Sequence, residues 1–202
     1  VEQFTEIAPG IVTAYNVFPT SNSIIDLIEQ ESQGLVSLWE PSMVIGENGE
    51  GFVNTKSRNC FVYTAPQPIK DEPMPLKESP DWLKVFVSQK LYEAFAPYYD
   101  QYKQKYNVDL ENVYEDFSIL RYGFGQRFRD HCDDGSALLR RVSLCYYVND
   151  DYEGGEILFD NFGLSIKPQA KQLIIFPSNF MYTHEVMPVM RGTRYAIVQW
   201  VK

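Results

Sequence analysis

Apolar positions follow two regimes along the chain. After residue 113 they come in short β-branched or aromatic runs, at 113–121, 138–148, 157–159, 164–166, 173–176 and 195–200. Turn-forming residues separate these runs, at 133–135, 149–155, 161–163 and 177–179. Short apolar runs bounded by Gly, Asn, Asp and Pro predict strands. Before residue 113 the pattern is mixed. Residues 4–18 alternate like one or two strands broken at Pro9-Gly10. Thr20 or Ser21 predicts a helix start, with Ile24, Ile25, Leu27 and Ile28 inward, an end near Gln33 and Gly34 as a stop. A short strand is expected over 35–39.

Ser79-Pro80 predicts a second helix start, an N-cap followed by proline in the first turn. Leu83, Phe86, Leu91, Phe95, Tyr98, Tyr102 and Tyr106 follow at roughly helical spacing. This aromatic stripe reads as core packing, and Pro97 predicts a kink or a division. Residues 40–78 hold Pro41, Pro66, Pro68, Pro73 and Pro75 with Gly46, Gly49 and Gly51. They read as a long connection with a few short strands, such as 61–63. Such connections often serve as lids or substrate-binding segments, the alternative being a surface loop without a role.

Helices first and many short strands afterwards predict a mainly β, α+β architecture: a sheet sandwich or barrel braced by helices. A length of 202 residues suits one domain, with 1–112 as support and 113–202 as the core. The apolar fraction of 45% and aromatic fraction of 15% exclude a disordered chain. A net charge of −9 argues against nucleic-acid and anionic-membrane partners. Arg121, Arg127, Arg129, Arg140 and Arg141 nevertheless cluster, so a local basic groove is compatible with the acidic total. The cysteines, Cys60, Cys132 and Cys145, are odd in number and form no C-x-x-C pair. That predicts neither a disulfide framework nor a zinc–thiolate site, and fits a reducing compartment. The first residues (VEQFTEIAPG) are unlike a signal peptide, and no apolar run approaches the ~20 residues of a membrane helix. The expectation is a soluble, cytoplasmic protein.

The chain has two histidines, and both sit beside other ligand-type residues. His131-Cys132-Asp133 places an imidazole and a carboxylate at i and i+2, on one face of a strand or strand end. Cys132 between them points the other way and reads as structural. His184 follows Asp133 by 51 residues, just after a predicted strand and turn. Two imidazoles and one carboxylate occupy one face of an octahedral metal and leave the other open, which suits non-haem Fe(II) and O₂. Arg194 lies ten residues beyond His184, across a connection containing Pro188 and Gly192. An antiparallel return is expected to set its strand beside that of His184. There its guanidinium could grip one end of a dicarboxylate whose other end reaches the metal.

Three stretches carry a family resemblance: ILRYGFGQRFRDHCDD, CYYVNDDYEGGEILFD and LIIFPSNFMYTHEVMPVMRGTRYAIVQW. In order and spacing they resemble the iron-site entry, central strand with paired glycines, and closing half of 2-oxoglutarate/Fe(II)-dependent dioxygenases, in the prolyl 4-hydroxylase-like branch. The match spans roughly residues 113–202; residues 1–112 resemble the family only loosely. The resemblance implies a double-stranded β-helix, a cupin-like jelly roll, buttressed by N-terminal helices. It implies that His131, Asp133 and His184 bind Fe(II), and that Arg194 pairs with the distal carboxylate of 2-oxoglutarate. Tyr122 and Tyr147 match tyrosines that help hold that carboxylate. Trp200, and Arg140 or Arg141, resemble substrate-facing positions. Glu156, after Gly154-Gly155, reads as structural. Phe128 departs from the pattern, because relatives often carry tyrosine three residues before the first histidine.

The resemblance implies oxidative decarboxylation of 2-oxoglutarate to succinate and CO₂, with O₂ as oxidant and hydroxylation of a second substrate. A proline-containing peptide or protein is the first expectation for that substrate. Another residue, a free amino acid or a small molecule is the alternative. A nucleobase is disfavoured by the acidic charge. A non-catalytic metal-binding cupin module is the reading from a different class, and the ligand triad together with Arg194 argues against it.

Overall fold

The computed structural model describes residues 2–33, 37–46, 50–69, 73–110, 113–135 and 138–202. The described residues form a mainly β structure with two α-helices, α1 (Ser21–Glu31) and α2 (Trp82–Tyr106). One sheet has eight strands, in the order Thr5–Ala8, Ile11–Ala14, Gln172–Pro177, Val142–Tyr147, Arg194–Val201, Phe117–Tyr122, Phe61–Ala65 and Glu40–Pro41. A second has four, in the order Leu164–Ile166, Ile157–Phe159, His184–Val186 and Phe128–His131. Two short ribbons join Glu153–Gly154 to Val189–Arg191 and Val44–Ile45 to Gly51–Phe52. Every pairing is antiparallel.

The large sheet is buried on both faces, and the alternation of side chains sorts its residues. Leu144, Tyr146, Leu173, Ile175, Ile197 and Val201 join the cluster that holds Ile24 and Ile28 of α1 and Leu91 and Phe95 of α2. Their neighbours Cys145, Tyr147, Ile174, Phe176, Ala196 and Val198 join Ile157, Phe159 and Val186 of the small sheet. Burial on both sides explains why the sequence shows continuous apolar runs here rather than apolar–polar alternation. Each large apolar side chain fully removed from water contributes roughly 1.5–3 kcal/mol.

The predicted elements are present with shifted bounds, except the short strand expected at 35–39, whose described residues 37–39 are not in a strand. Residues 4–18 are two strands joined at Pro9-Gly10, with Gly10 at φ +73. α1 buries Ile24, Ile25 and Ile28, while Leu27 is half-buried. Gly34, its expected stop, lies outside the described residues, as do residues 35 and 36 of the short strand expected at 35–39. The strand nearby is Glu40–Pro41. α2 begins at Trp82, so Ser79-Pro80 lies in the turn before it, where Ser79 Oγ accepts from the Asp81 N–H at 3.4 Å. Pro97 does not divide α2, which is assigned as one helix of 25 residues. Packing of Leu91, Phe95, Tyr98, Tyr99 and Tyr102 offsets the one backbone hydrogen bond that proline forgoes. Asn107 ends the helix in the left-handed region at φ 50.

The three cysteines are free. Among the described residues, no helix is long and apolar enough to cross a membrane.

Candidate metal centre

The small sheet carries both histidines. His131 ends the strand Phe128–His131, His184 opens the strand His184–Val186, and the two residues face each other in register. Their ring centroids lie 4.3 Å apart. Asp133, two residues past His131, brings its carboxylate between them. Its Oδ1 is 3.6 Å from His131 Nε2, and its Oδ2 is 3.7 Å from His184 Nε2. These separations exceed hydrogen-bond distance and leave the donor atoms pointing at a shared space. One ligand atom from each of the three residues falls within 4.8 Å of the others.

The surroundings prepare each donor. His131 Nδ1 lies 2.7 Å from the Arg129 carbonyl oxygen, and His184 Nδ1 lies 3.1 Å from that of Tyr182. A carbonyl only accepts, so each Nδ1 carries the proton and each Nε2 offers a lone pair. Burial is the largest influence on His184, and it pushes the imidazole down to about 4, with His131 adding to the effect. His184 is therefore neutral near pH 7. Burial alone would raise the Asp133 carboxyl, but the two histidines and the Ser143 hydroxyl outweigh it and hold the group ionised. Ser143 Oγ donates to Asp133 Oδ2 at 2.6 Å, and the Ser178 hydroxyl lies 2.7 Å behind it. Phe128 stacks on His131 at 3.5 Å, and Phe176 meets His184 at 4.9 Å. Where relatives often carry a tyrosine hydroxyl, this chain has a flat apolar contact with the ligand ring.

An inner pocket runs from this triad into the large sheet, lined by Tyr122, Cys145, Tyr147, Arg194 and Val198 among others. Arg194 is 2% exposed, and its Nε and Nη1 find no hydrogen-bond partner. The guanidinium lies 4.8 Å from the Tyr122 ring centroid and 5.1 Å from that of Tyr147. The Tyr147 hydroxyl is buried and also unpartnered. The expected placement of the Arg194 strand needs correcting. It lies in the large sheet, between Val142–Tyr147 and Phe117–Tyr122, not beside the His184 strand. The chain passes from one sheet to the other between His184 and Arg194, so the residues meet across the pocket. Gly155 makes this possible: a Cβ there, at φ +66, would come within 2.9 Å of Arg194 Cδ. Of the paired glycines, Gly155 makes room for Arg194, while Gly154 lies against Pro188 and Met190.

Outside the triad, an open cleft of about 810 Å³ is walled by Met43, Val44, Ile45, Ser57 and Arg58 from the 40–78 segment, facing Asp133, Arg140 and Trp200. Arg140 stacks 3.7 Å from the Trp200 ring centroid and grips Glu115 through bonds of 2.8 and 2.6 Å. Its Nη1 donates to the Asp133 carbonyl at 3.3 Å. Arg141 is exposed and does not line this cleft; it lines a second depression, with Pro177 and Asn179, to which Arg140 also contributes. Cys132 lies on the cleft wall, its thiol donating to the Asp134 carbonyl at 3.1 Å. Sequence reasoning did not single out Ser143, Ser178 or Arg58. Serines inside or after an apolar strand carry no spacing signal of their own.

Two imidazoles, one carboxylate and an open approach form a group that suits a non-haem Fe(II) ion. Residues 117–202 match the sequence model of the 2OG-Fe(II) oxygenase superfamily. Through this segment, somewhat under half of its length, the chain is similar to that superfamily. A PKHD-type hydroxylase of Paraburkholderia phytofirmans is 34% identical over 93 residues, covering 41% of this chain and 40% of that protein. The match therefore spans well under two thirds of the relative's length. A prolyl hydroxylase from Trichoplax adhaerens, solved with a peptide fragment of the hypoxia-inducible factor oxygen degradation domain, shares the fold. Its TM-score is 0.70 at 17% identity, over 95% of this chain and 83% of that one. A Pseudomonas putida prolyl-4-hydroxylase aligns with a TM-score of 0.66 at 19% identity, over 96% and 92% of the two chains. The family's Fe(II), 2-oxoglutarate and O₂ form a set that the residues present fit. The donor chemistry suits the metal, and the unpaired Arg194 nitrogens suit a carboxylate.

Proposed function

We propose that this protein is a 2-oxoglutarate- and Fe(II)-dependent dioxygenase that hydroxylates proline in a peptide or protein. The observation that carries the reading is a single pocket with the metal triad at its mouth and a buried, anion-free guanidinium at its far wall. A binding module has no use for both. The two facing sheets support a double-stranded β-helix, with α1 and α2 as buttresses. The large sheet takes strands from both halves of the chain, which supports one catalytic domain over 1–202.

Bound iron, with 2-oxoglutarate and O₂, supplies the oxidising power: decarboxylation to succinate and CO₂, coupled to transfer of one oxygen atom to the substrate. The chain's own residues hold and orient. His131 Nε2, His184 Nε2 and Asp133 would hold the metal. Arg194 takes the distal carboxylate through parallel N–H donors, with the Tyr122 and Tyr147 hydroxyls beside it. The apolar lining around them, from Leu120, Ile157, Val186 and Val198, would strengthen those bonds and limit water at the reacting centre. The cleft wall built by residues 42–46 and 57–58 supports the lid reading of the 40–78 segment, and the Trp200–Arg140 stack on the same cleft supports a substrate-facing role for those two residues.

The test is incubation of the iron-loaded protein with 2-oxoglutarate and a panel of proline-containing peptides, following succinate and a mass gain of one oxygen atom together. Succinate with hydroxylated proline, both absent in His131→Ala, is the expected result. Succinate without peptide oxidation would keep the oxygenase and reassign the substrate to another residue or a small molecule. Neither product, with no 2-oxoglutarate binding, would leave a metal-binding module.

A further inference from the structure

Arg194 is not the only guanidinium facing the inner pocket. Arg58, from the 40–78 segment, lines both the inner pocket and the outer cleft, so it stands at the junction between them. Its backbone bridges to Phe128, and its guanidinium lies 4.7 Å from the Phe128 ring centroid. Phe128 in turn stacks on His131. Arg58 is therefore at the metal end of the pocket, and Arg194 is at the far end.

The polar contacts of Arg58 are incomplete. Nη1 donates to the Met43 carbonyl at 3.3 Å and the guanidinium also meets the Cys60 sulfur, while Nε is buried with no partner. Among the described residues, no carboxylate forms an ion pair with either Arg58 or Arg194. Asp133, the acidic group that acts on Arg58, is already held by Ser143 and flanked by both imidazoles. Both arginines act on the same groups between them, the Tyr122 hydroxyl and the Cys145 thiol. One pocket thus holds two cations and no free counter-anion. Partly buried like charges without an anion are unfavourable, in a chain whose net charge of −9 offers carboxylates elsewhere. A ligand with two carboxylates at opposite ends removes the imbalance.

We propose that Arg58 is a second co-substrate-binding residue, which takes the carboxylate at the metal end of the dicarboxylate while Arg194 takes the other. The site then selects for two negative charges, and the 40–78 segment completes the co-substrate pocket as well as walling the cleft. This inference rests on the oxygenase reading above.

Calorimetric titration of the Mn(II)-loaded protein, without turnover, tests it. Three ligands separate the two ends: 2-oxoglutarate, 4-oxopentanoate, which lacks the metal-end carboxylate, and 2-oxopentanoate, which lacks the far-end one. Arg58→Met keeps an unbranched stem over Phe128 and removes the charge. It is expected to weaken 2-oxoglutarate and 2-oxopentanoate about tenfold, the scale of one lost charge-assisted bond pair, and to leave 4-oxopentanoate unchanged. Arg58→Lys, which keeps the charge, is expected to recover part of the loss. An unchanged 2-oxoglutarate affinity in Arg58→Met, or equal weakening of all three ligands, would overturn the proposal. Wild-type protein that takes up no 2-oxoglutarate would overturn the oxygenase reading itself, and this inference with it. Thermal unfolding of both variants confirms that they are folded.

Discussion

Tyr146 and Tyr147 are adjacent on one strand and are both fully buried, yet their hydroxyls meet opposite fates. Tyr146 faces the helices, donates to the Phe18 carbonyl at 2.9 Å and lies 2.8 Å from Ser21 Oγ. Tyr147 faces the small sheet, and its hydroxyl has no partner. The two faces of the large sheet differ in the same way. The helix face also leaves some hydroxyls unpaired, those of Tyr63 and Tyr99, but they are neutral. The site face leaves two nitrogens of a charged guanidinium unpaired, in the pocket that also holds an ionised carboxylate and a neutral imidazole. One face spends its side chains on stability; the other keeps costly polar groups ready for a ligand. Unsatisfied buried groups of this kind persist where function requires them.

This contrast can be broken or sharpened by substitution. The largest effect is expected for His131→Ala on the site face: metal retained after dialysis, and succinate formation, should both fall to background while the fold is kept. Retained metal would mean that the triad is not the centre. Phe95→Ala, on the helix face, should cost about 3–5 kcal/mol in urea unfolding through the cavity it leaves. The folded fraction should bind 2-oxoglutarate as the wild type does, and a large loss of affinity would show that the faces are coupled. Ser143→Ala releases the Asp133 carboxylate from its orienting donor. Metal affinity, measured by competition with a chelator, should fall about 10- to 100-fold. The two tyrosines give the smallest and sharpest comparison. Tyr146→Phe should cost about 1–3 kcal/mol of stability, because it leaves buried partners unpaired, with no effect on co-substrate binding. Tyr147→Phe should leave stability unchanged and weaken 2-oxoglutarate binding by about 1 kcal/mol. The reverse pattern would mean that the unpaired hydroxyl is incidental.

Six strands after residue 113 were legible because their apolar runs are short and turn residues bound them closely; 157–159 and 164–166 match the observed strands residue for residue. The short strands Phe128–His131, Glu153–Gly154, His184–Val186 and Val189–Arg191 carry no such run and were not read from that pattern. The boundaries of α2 were less legible. Ser79 and Pro80 are good helix starters, but Ser79 spends its hydroxyl on the turn before the helix. Pro97 is a poor interior residue, but packing along the aromatic stripe outweighs it. The triad was legible from ligand types and spacing, since His131 and Asp133 are near neighbours and His184 is the only other histidine. Arg194 was legible as a residue but not in its placement. Sequence distance from His184 suggests a neighbouring strand, whereas the chain changes sheets between them.

By itself, then, the sequence determined the kinds of element, the donor types and the residues able to grip a carboxylate. These depend on local side-chain chemistry, on the period of the apolar pattern and on turn propensity. Only the tertiary structure decided that His131 and His184 pair across two strands, that Arg194 faces them from the other sheet, and that Arg58 and Ser143 join the site. The physical reason is that these meetings depend on strand register and on which sheet each strand enters. Both are set by long-range burial of two faces at once, which no local spacing records.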